Sequence, residues 1–211
     1  MSADTQDAAQ DAPDRVSSRR LATRTRLLDA AREVFAAKGV HGASVEEICE
    51  AAGFTRGAFY SNYADKDELT VALLAREQAR LFDNVKLHQV AGDLDATMQA
   101  VLAAQAPEPE YYLIHTELLL LGVRDREFAD TARATEEAVA TGVMEILQAG
   151  LDRLGLEPLV PLRDLAHALL AVNERSLRLA LLDGDDDLLS LSRSVLPALL
   201  AGLTRPRATE G

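Results

Sequence analysis

Residues 44–69 read SVEEICEAAGFTRGAFYSNYADKDEL, and this stretch decides the fold of the N-terminal part of the chain. Ser44 and Glu47 have the spacing of a capping box, in which each side chain bonds the backbone amide of the other residue at a helix start. Gly53 predicts the end of that helix, because glycine readily adopts the left-handed conformation that closes a helix. Thr55 predicts a second helix start, so the stretch holds two short helices joined by a tight turn.

A further helix is predicted directly after these two. Asp65 and Glu68 form another capping box, which ends the second short helix near Asn62 and starts a new helix at Lys66. Two short helices around a three-residue turn, with small and polar residues at the head of the second, form the helix-turn-helix pattern.

The same residues resemble the N-terminal signature of the TetR/AcrR family of one-component transcriptional regulators. The resemblance continues upstream through LLDAAREVFAAKG at residues 27–39, and it covers roughly residues 20–70. The chain departs from the family pattern at Phe54, where a small aliphatic residue is commoner, at Asn62, where a histidine often stands, and at Tyr63, which replaces a phenylalanine. The matching positions are Ala51, Ala52, Gly53, Thr55, Gly57, Phe59, Tyr60, Lys66 and Leu69.

The composition predicts an all-α chain. Hydrophobic residues make up 48% of the 211 residues, whereas aromatic residues make up 4% and tryptophan is absent. The core must therefore consist mainly of Leu, Ala and Val, and the first two of these favour helices. Alternating runs of β-branched residues, which would predict strands, are missing. We expect a three-helix helix-turn-helix domain at the N-terminus, followed by a helical bundle.

Helical periodicity and helix-breaking residues divide the chain into an arm and two domains. We expect a disordered arm with acidic and basic residues over 1–18, a helix-turn-helix domain over 19–66, and a ligand-sensing and dimerisation bundle over 67–205. The first helix is expected to run from Arg19 to Lys38 and to end at Gly39. The helix that starts at Lys66 is expected to reach His88.

Five further helices are expected in the bundle. YYLIHTELLLLGV at residues 111–123 is almost entirely apolar, so its helix is expected to be central. A frayed tail is expected after the last helix. The expected ranges are 93–105, 111–123, 125–154, 161–182 and 187–203.

The net charge of −12 is distributed unevenly along the chain. Residues 1–14 contain four acids and no base, residues 15–66 contain nine bases and six acids, and residues 67–211 contain thirteen bases and twenty-four acids. The balance of 15–66 is therefore +3, and this segment coincides with the helix-turn-helix. Such an asymmetry is typical of a small DNA-reading domain attached to an acidic body.

An arginine-rich run leads into the first turns of the first helix, with no acid inside it: Arg15, Arg19, Arg20, Arg24 and Arg26. Cations at a helix start oppose the helix dipole, so we favour contact with DNA phosphates or the minor groove over a merely solvated helix end.

The second short helix is predicted to read the DNA sequence. Only Arg56 at its head is long enough to reach a base edge, and it could bind guanine through two hydrogen bonds. Gly57 would let the helix approach the groove closely, and the neighbouring polar residues would hold phosphates. The predicted DNA-binding set is Arg24, Ser44, Thr55, Arg56, Gly57, Tyr60, Ser61, Asn62 and Lys66.

Two further sites are expected in the bundle. The last two long helices carry more apolar residues than one face can bury, which fits a central helix of the monomer or, as the resemblance implies, a two-fold dimer. The interface residues expected for that dimer are Leu177, Leu181, Leu196 and Leu200. The resemblance also implies a pocket for a small, mostly apolar effector. The residues expected to line it are Phe82, Met98, Leu102, Tyr111, His115 and Asn173.

No motif for enzymatic chemistry is present. The four histidines are scattered, Cys49 is the only cysteine, and neither a phosphate-binding glycine loop nor a nucleophile elbow is found. We therefore expect no enzyme activity, no cofactor and no metal. No apolar run approaches the ~20 residues of a membrane span, and the single cysteine suits a reducing compartment, so the cytoplasm is expected.

The resemblance implies a dimeric repressor that binds a palindromic operator in double-stranded DNA and is released by its effector. A helical protein-interaction adaptor would explain the bundle but would leave the arginine run and the helix-turn-helix without a role. An activator, or a regulator without a small-molecule effector, is a further alternative.

Overall fold

The computed structural model describes residues 11–87, 93–104, 108–126 and 128–208, with side chains from residue 18 onward. The predicted all-α class is confirmed, since the described residues form nine helices and two three-residue strands. In chain order the helices are α1 Asp11–Gly42, α2 Val45–Ala52, α3 Arg56–Tyr60, α4 Lys66–Leu87, α5 Leu94–Ala104, α6 Pro109–Arg124, α7 Ala129–Leu154, α8 Leu162–Asp183 and α9 Ser190–Gly202. The strands are β1 Leu156–Pro158 and β2 Thr204–Pro206.

Helix α1 begins earlier than expected. Its backbone is helical from Asp11, although the sequence predicted a disordered arm up to residue 18 and a helix start at Arg19. Residues 1–10 of that arm lie outside the described residues. The predicted break at Gly39 is confirmed, because this residue has a φ of 72° inside α1 and kinks the helix there.

The predicted caps of the helix-turn-helix are confirmed. The backbone amide of Glu47 donates to the Ser44 hydroxyl, and its carboxylate accepts from the amide of Ser44 at 2.9 Å. Gly53 closes α2 in the left-handed conformation, with a φ of 70°. The side chain of Thr55 accepts from the amide of Ala58 at the start of α3.

Helix α4 begins with a variant of the predicted capping box, in which Glu68 bonds the amide of Ala64 instead of that of Asp65. The amide of Glu68 donates to Asp65 Oδ1 at 2.8 Å, whereas the carboxylate of Glu68 accepts from the amide of Ala64. The last described residue of α4 is Leu87, so its expected end at His88 lies outside the described residues.

Large side chains of α1, α2, α3 and the turn after α3 form the core around the helix-turn-helix. Phe35, Ile48, Phe59 and Tyr63, which the sequence predicted to be inside, are each at most 2% exposed. The Cys49 thiol is also buried, and this burial, followed by the charge of Glu46, raises its pKa. A raised pKa keeps the thiol protonated, which agrees with a packed side chain rather than a redox sensor.

The remaining helices follow the expected order with shifted boundaries. Helix α7 starts at Ala129 instead of Asp125, because Asp125 closes α6 by donating its amide to Leu121 O. Gly155 and Gly184 end α7 and α8 in the left-handed conformation. Helix α8 packs against α7 and α9, and α9 also packs against α5. Their shared core cluster contains Met98, Leu102, Leu147, Leu165, Ala166, Leu169, Leu196 and Leu200.

The prediction that α6 is a central helix is wrong. Leu113 and Leu120 are 50% and 48% exposed, and Val123 is 84% exposed. Only part of the circumference of α6 is buried, through residues such as Ile114 and Leu118. The apolar composition of α6 led to the expectation of full burial, but apolar side chains also occur on the exposed face of a helix.

The predicted frayed tail is also wrong. Residues Thr204–Pro206 form β2, which pairs antiparallel with β1 at Leu156–Pro158. Ion pairs continue the contact, from Arg205 to Glu157 at 2.7 Å and from Arg207 to Asp152 at 2.6 Å. The end of the described chain is therefore fastened to the loop between α7 and α8.

The chain divides into two compact units. The N-terminal unit comprises Met1–Leu74 together with Leu113–Leu118, and the C-terminal unit comprises Ala75–Tyr112 and Leu119–Gly211. Helices α4 and α6 thus contribute residues to both units. Among the described residues, no helix combines the length and the apolar character that crossing a bilayer requires.

Candidate functional site

The exposed face of α3 carries the residues best placed to meet a large partner. The side chain of Arg56 is 59% exposed, and Tyr60 is 48% exposed. Gly57 lies between them in open surroundings, since a methyl group there would meet only the Thr55 hydroxyl, at 3.7 Å. Phe59, on the opposite side of the helix, is fully buried and anchors α3.

Arg56 is held by two neighbours on this face. Its Nη1 lies 2.5 Å from Glu46 Oε1 on α2, and its Nη2 donates to the Tyr60 hydroxyl at 3.3 Å. The bond to Tyr60, followed by the charge of Glu46, raises the pKa of Arg56. The guanidinium is therefore both charged and oriented at the surface.

Two arginines of the basic run brace the helix-turn-helix from α1. Arg24 donates through Nη1 to Asn62 O at 2.8 Å, and its guanidinium lies 4.3 Å from the centre of the Tyr63 ring. Arg26 donates to Ala52 O at 2.8 Å and lies over the Phe54 ring. Arg24 and Arg26 thus hold the residues at the ends of α3 and α2 in place.

Lys66 is placed differently from its predicted role. Its Nζ donates to Val40 O at 2.6 Å and to Ala43 O at 2.8 Å, in a part-buried position. An ammonium group that satisfies two carbonyls between α1 and α2 is directed into the protein. We therefore correct its assignment as a phosphate contact, and describe it as a support for the turn at residues 40–43.

Several of the other predicted DNA-binding side chains also bond within the protein. The hydroxyls of Ser44 and Thr55 cap α2 and α3, and the amide nitrogen of Asn62 donates to Ala58 O at 2.8 Å. Ser61 donates to Gly57 O while it remains exposed. Among the predicted set, Arg56, Gly57, Tyr60 and Ser61 form the exposed face of α3.

The predicted effector residues are spread over different regions. Met98 and Leu102 belong to the core cluster of the C-terminal unit. The ring of Phe82 packs so closely on Gly142 of α7 that a methyl group there would overlap it. Tyr111 is half-buried in the same unit, and burial, followed by the charges of Glu136 and Glu77, raises its pKa to about 12.

Two of the predicted effector residues have other surroundings. His115 is buried in the segment Leu113–Leu118, which belongs to the N-terminal unit. Asn173 accepts a hydrogen bond from the Ser192 hydroxyl at 3.2 Å, and Ser192 is fully buried between α8 and α9. Asn173 therefore takes part in packing these two helices.

The predicted dimer residues are mostly buried within their own chain. Leu177 is 9% exposed, and Leu196 and Leu200 are each 4% exposed, because α9 packs against α5 and α8. Leu181 is half-buried. The assignment of Leu196 and Leu200 to the surface is corrected, since a side chain inside the core adds little area to a second subunit.

Two acidic residues were missed by the sequence reasoning. Glu46 pairs with Arg56, and Glu117 accepts hydrogen bonds from the amides of Val40 and His41. The pairing of Glu46 crosses from α2 to α3, so no helical spacing signals it. Glu117 lies on α6, far along the chain from residue 40, and only a structure could bring the two together.

The comparisons with known proteins agree with the helix-turn-helix. Residues 27–73 match the family model described as bacterial regulatory proteins, tetR family. Over 58 residues the chain is 40% identical to the HTH-type transcriptional regulator UidR of Escherichia coli K12, a match that covers 28% of this chain and 30% of that relative. It is 38% identical over 63 residues to the HTH-type transcriptional repressor AcnR of Corynebacterium efficiens, covering 30% and 34% of the two chains.

Similarity of fold extends much further than similarity of sequence. The solved structure of Salmonella enterica GusR superposes with a TM-score of 0.66, and the match covers 86% of this chain and 96% of that one. At 22% identity this likeness concerns the fold alone. The curated relatives UidR and AcnR are matched over only about a third of their own length, within the N-terminal part of this chain.

Proposed function

We propose, on the premise that its N-terminal domain belongs to the tetR family of bacterial regulatory proteins, that this chain is a DNA-binding transcriptional regulator. The observation that carries the proposal is the exposed face of α3, headed by Arg56. The relatives UidR and AcnR are described as transcriptional regulators, and AcnR as a repressor. This likeness supports the role of a regulator and not that of an enzyme. We expect the protein to act on DNA in the cytoplasm.

Helix α3 is proposed to enter the major groove. Arg56 donates two hydrogen bonds to a guanine there, while Gly57 allows the backbone to come close to the base edges. Tyr60 and Ser61, exposed on the same face, bond phosphates and set the register. The arginines at positions 19 and 20, which are exposed on α1, add electrostatic attraction to the DNA backbone.

A two-fold dimer is proposed to bind a palindromic operator. One helix-turn-helix unit offers few contacts, and two units with a fixed spacing double them over half-sites about one helical turn, or a small multiple of it, apart. The dimer surface is proposed to lie on the exposed side of α8 and α9. Ala171 and Leu182 share one face of α8, and the small residues Ser194, Ala198 and Ala201 share one face of α9. Small side chains allow helices of two subunits to approach closely.

The regulator is proposed to be a repressor that a small, mostly apolar effector releases from DNA. Helix α4 supports this mechanism, because its first residues belong to the N-terminal unit and the rest to the C-terminal unit. An effector that favours a different tilt of α4 would weaken operator binding, and the operator would weaken effector binding by the same factor. A coupling of about 1–3 kcal/mol corresponds to a roughly 5–150-fold change in affinity.

The effector site is proposed to lie in the C-terminal unit near Phe82 and Tyr111. A tyrosine hydroxyl is protonated at neutral pH, so the half-buried Tyr111 can offer a polar contact to an otherwise apolar molecule.

Selection of DNA from a random-sequence duplex library tests the DNA-binding proposal. The wild-type protein is expected to enrich a palindromic sequence, and Arg56→Ala is expected to lose about 1–3 kcal/mol on that sequence with relaxed discrimination. Enrichment of no sequence by the wild-type protein would favour the alternative of a protein-interaction adaptor. A promoter-reporter assay on the enriched sequence then separates repression from activation by the sign of the response.

A further inference from the structure

Glu46 places a carboxylate on the surface that is proposed to face DNA. Its side chain is 57% exposed, and its Oε1 lies 2.5 Å from Nη1 of Arg56. It is the second residue of α2, one turn before Glu50 on the same exposed side. A negative charge at this place opposes binding to phosphates. A carboxylate beside the guanidinium of Arg56 must therefore have another effect on DNA binding.

The hydrogen-bond donors of Arg56 leave room for a base while Glu46 stays bound. A guanidinium carries five N–H donors in one plane. The Tyr60 hydroxyl accepts a hydrogen bond from one of them on Nη2, and the Glu46 carboxylate forms an ion pair with Nη1. With one donor assigned to each of these neighbours three remain, and a guanine needs two. Arg56 can therefore bind a guanine and keep the contact with Glu46 at the same time.

Glu46 opposes a contact between Arg56 and a DNA phosphate. A phosphate that approaches the Arg56 guanidinium brings its negative charge close to the Glu46 carboxylate. The two anions repel each other, so the Glu46 carboxylate weakens a bond between Arg56 and the DNA backbone. Binding to a phosphate is sequence-independent, whereas binding to guanine O6 and N7 is not.

From these relations we propose that Glu46 is a specificity-determining residue, which holds Arg56 in position for guanine and withholds it from phosphates. Glu46 thereby weakens binding to DNA of arbitrary sequence more than it weakens binding to the operator. The inference rests on the proposed function, because it requires that α3 meets DNA through Arg56. Glu46 acts through Arg56 and is a positioning residue in this scheme.

The substitution Glu46→Gln tests the proposal, with Glu50→Gln as the matched control on the same helix. Both changes remove one negative charge from α2 and keep the size of the side chain. Affinity is measured for full-length protein on a duplex that the wild-type protein has enriched from a random library and on a scrambled duplex of the same composition. Glu46→Gln is expected to strengthen binding to the scrambled duplex by up to about fivefold, the range of an exposed ion pair, and to raise its salt slope. The ratio of the two affinities should fall for Glu46→Gln and stay near the wild-type value for Glu50→Gln.

The same measurements in an Arg56→Ala background show whether Glu46 acts through Arg56. The effect of Glu46→Gln on the affinity ratio is expected to disappear there, because the residue that it positions is gone. Equal effects of Glu46→Gln and Glu50→Gln, or an unchanged effect in the Arg56→Ala background, would overturn the proposal and leave DNA recognition by α3 intact. A wild-type protein with equal affinity for both duplexes would overturn the proposed function and this inference together.

Discussion

The carboxylate of Glu117 on α6 accepts a hydrogen bond from the backbone amide of Val40, with 2.7 Å between Val40 N and Glu117 Oε2. The amide of His41 donates to the same oxygen at 3.2 Å. Both partners lie in the N-terminal unit, where Lys66 bonds the carbonyls of the same turn. The turn between α1 and α2 is therefore held by an anion on its amides and by a cation on its carbonyls.

Removal of the Glu117 charge should lower the stability of the N-terminal unit. Glu117→Gln keeps the size of the side chain but turns two charge-assisted hydrogen bonds into neutral ones, with an expected loss of about 1–2 kcal/mol. Urea unfolding followed by circular dichroism measures the loss. Glu50→Gln, an exposed change on α2, is the control and should stay within about 0.5 kcal/mol of the wild-type protein. Equal stability of Glu117→Gln and the wild-type protein would contradict the assigned role.

The kink in α1 requires glycine at residue 39. Gly39→Ala should cost about 1–3 kcal/mol, because alanine disfavours a φ of 72° and its methyl group would lie only 2.7 Å from Glu117 Oε1. Gly42→Ala is the matched control, since a methyl group there meets Lys38 Cβ at an ordinary 3.7 Å. Thermal unfolding of the two variants compares them directly, and similar melting temperatures would refute the argument.

Lys66→Ala should affect stability rather than the salt dependence of DNA binding. Loss of the ammonium leaves the carbonyls of Val40 and Ala43 without their charged donor, at a cost of about 1.5–3 kcal/mol. The salt slope on random-sequence DNA should remain unchanged where the variant is folded. A slope reduced by about one, with stability unaffected, would restore the phosphate contact that the sequence suggested.

Acid should weaken the start of α2. The hydrogen bond from Lys38, followed by the bonds from Ser44, lowers the pKa of Glu47 from its ordinary value of 4.5 to about 2. Because the folded state prefers the ionised carboxylate, this contribution is present above about pH 4.5 and is lost as the pH falls towards 2. The unfolding free energy of the wild-type protein should therefore fall more steeply than that of Glu47→Gln in this window. Parallel curves would show that the charge of Glu47 contributes nothing, and added salt should reduce the difference since the pair of Lys38 and Glu47 is partly exposed.

A charge on the exposed side of α8 should separate dimerisation from folding. Leu182 is 77% exposed, so Leu182→Glu is expected to keep the fold and to shift sedimentation towards monomers at micromolar concentration. Leu196 is 4% exposed, and Leu196→Glu should instead unfold the C-terminal unit by burying an unpaired charge. A Leu182→Glu protein that sediments as the wild-type protein does would remove this face from the dimer.

Local signals in the sequence predicted the helix-turn-helix well, because capping and glycine conformation depend on residues only a few positions apart. The bonds of Ser44 with Glu47 and the left-handed Gly53 are of this kind. The sequence carries no local signal for contacts between distant segments. Such contacts determine the surroundings of Lys66 and the burial of Leu196. An excess of apolar residues on α9 is compatible with a core or with a dimer, and only the packing of α5 against α9 distinguishes these for Leu196.

The pairing of β1 with β2 has a consequence for how the C-terminal unit opens. Terminal helices usually fray from the free end inward, but α9 is followed by a strand that is fastened beside the end of α7. Unwinding of α9 from its last turn must first break the strand pair and the ion pair of Arg207 with Asp152. Amide hydrogen exchange in the last turn of α9 should therefore follow the opening of the strand pair. A reporter or affinity tag joined directly after Arg207 is expected to disturb this closure.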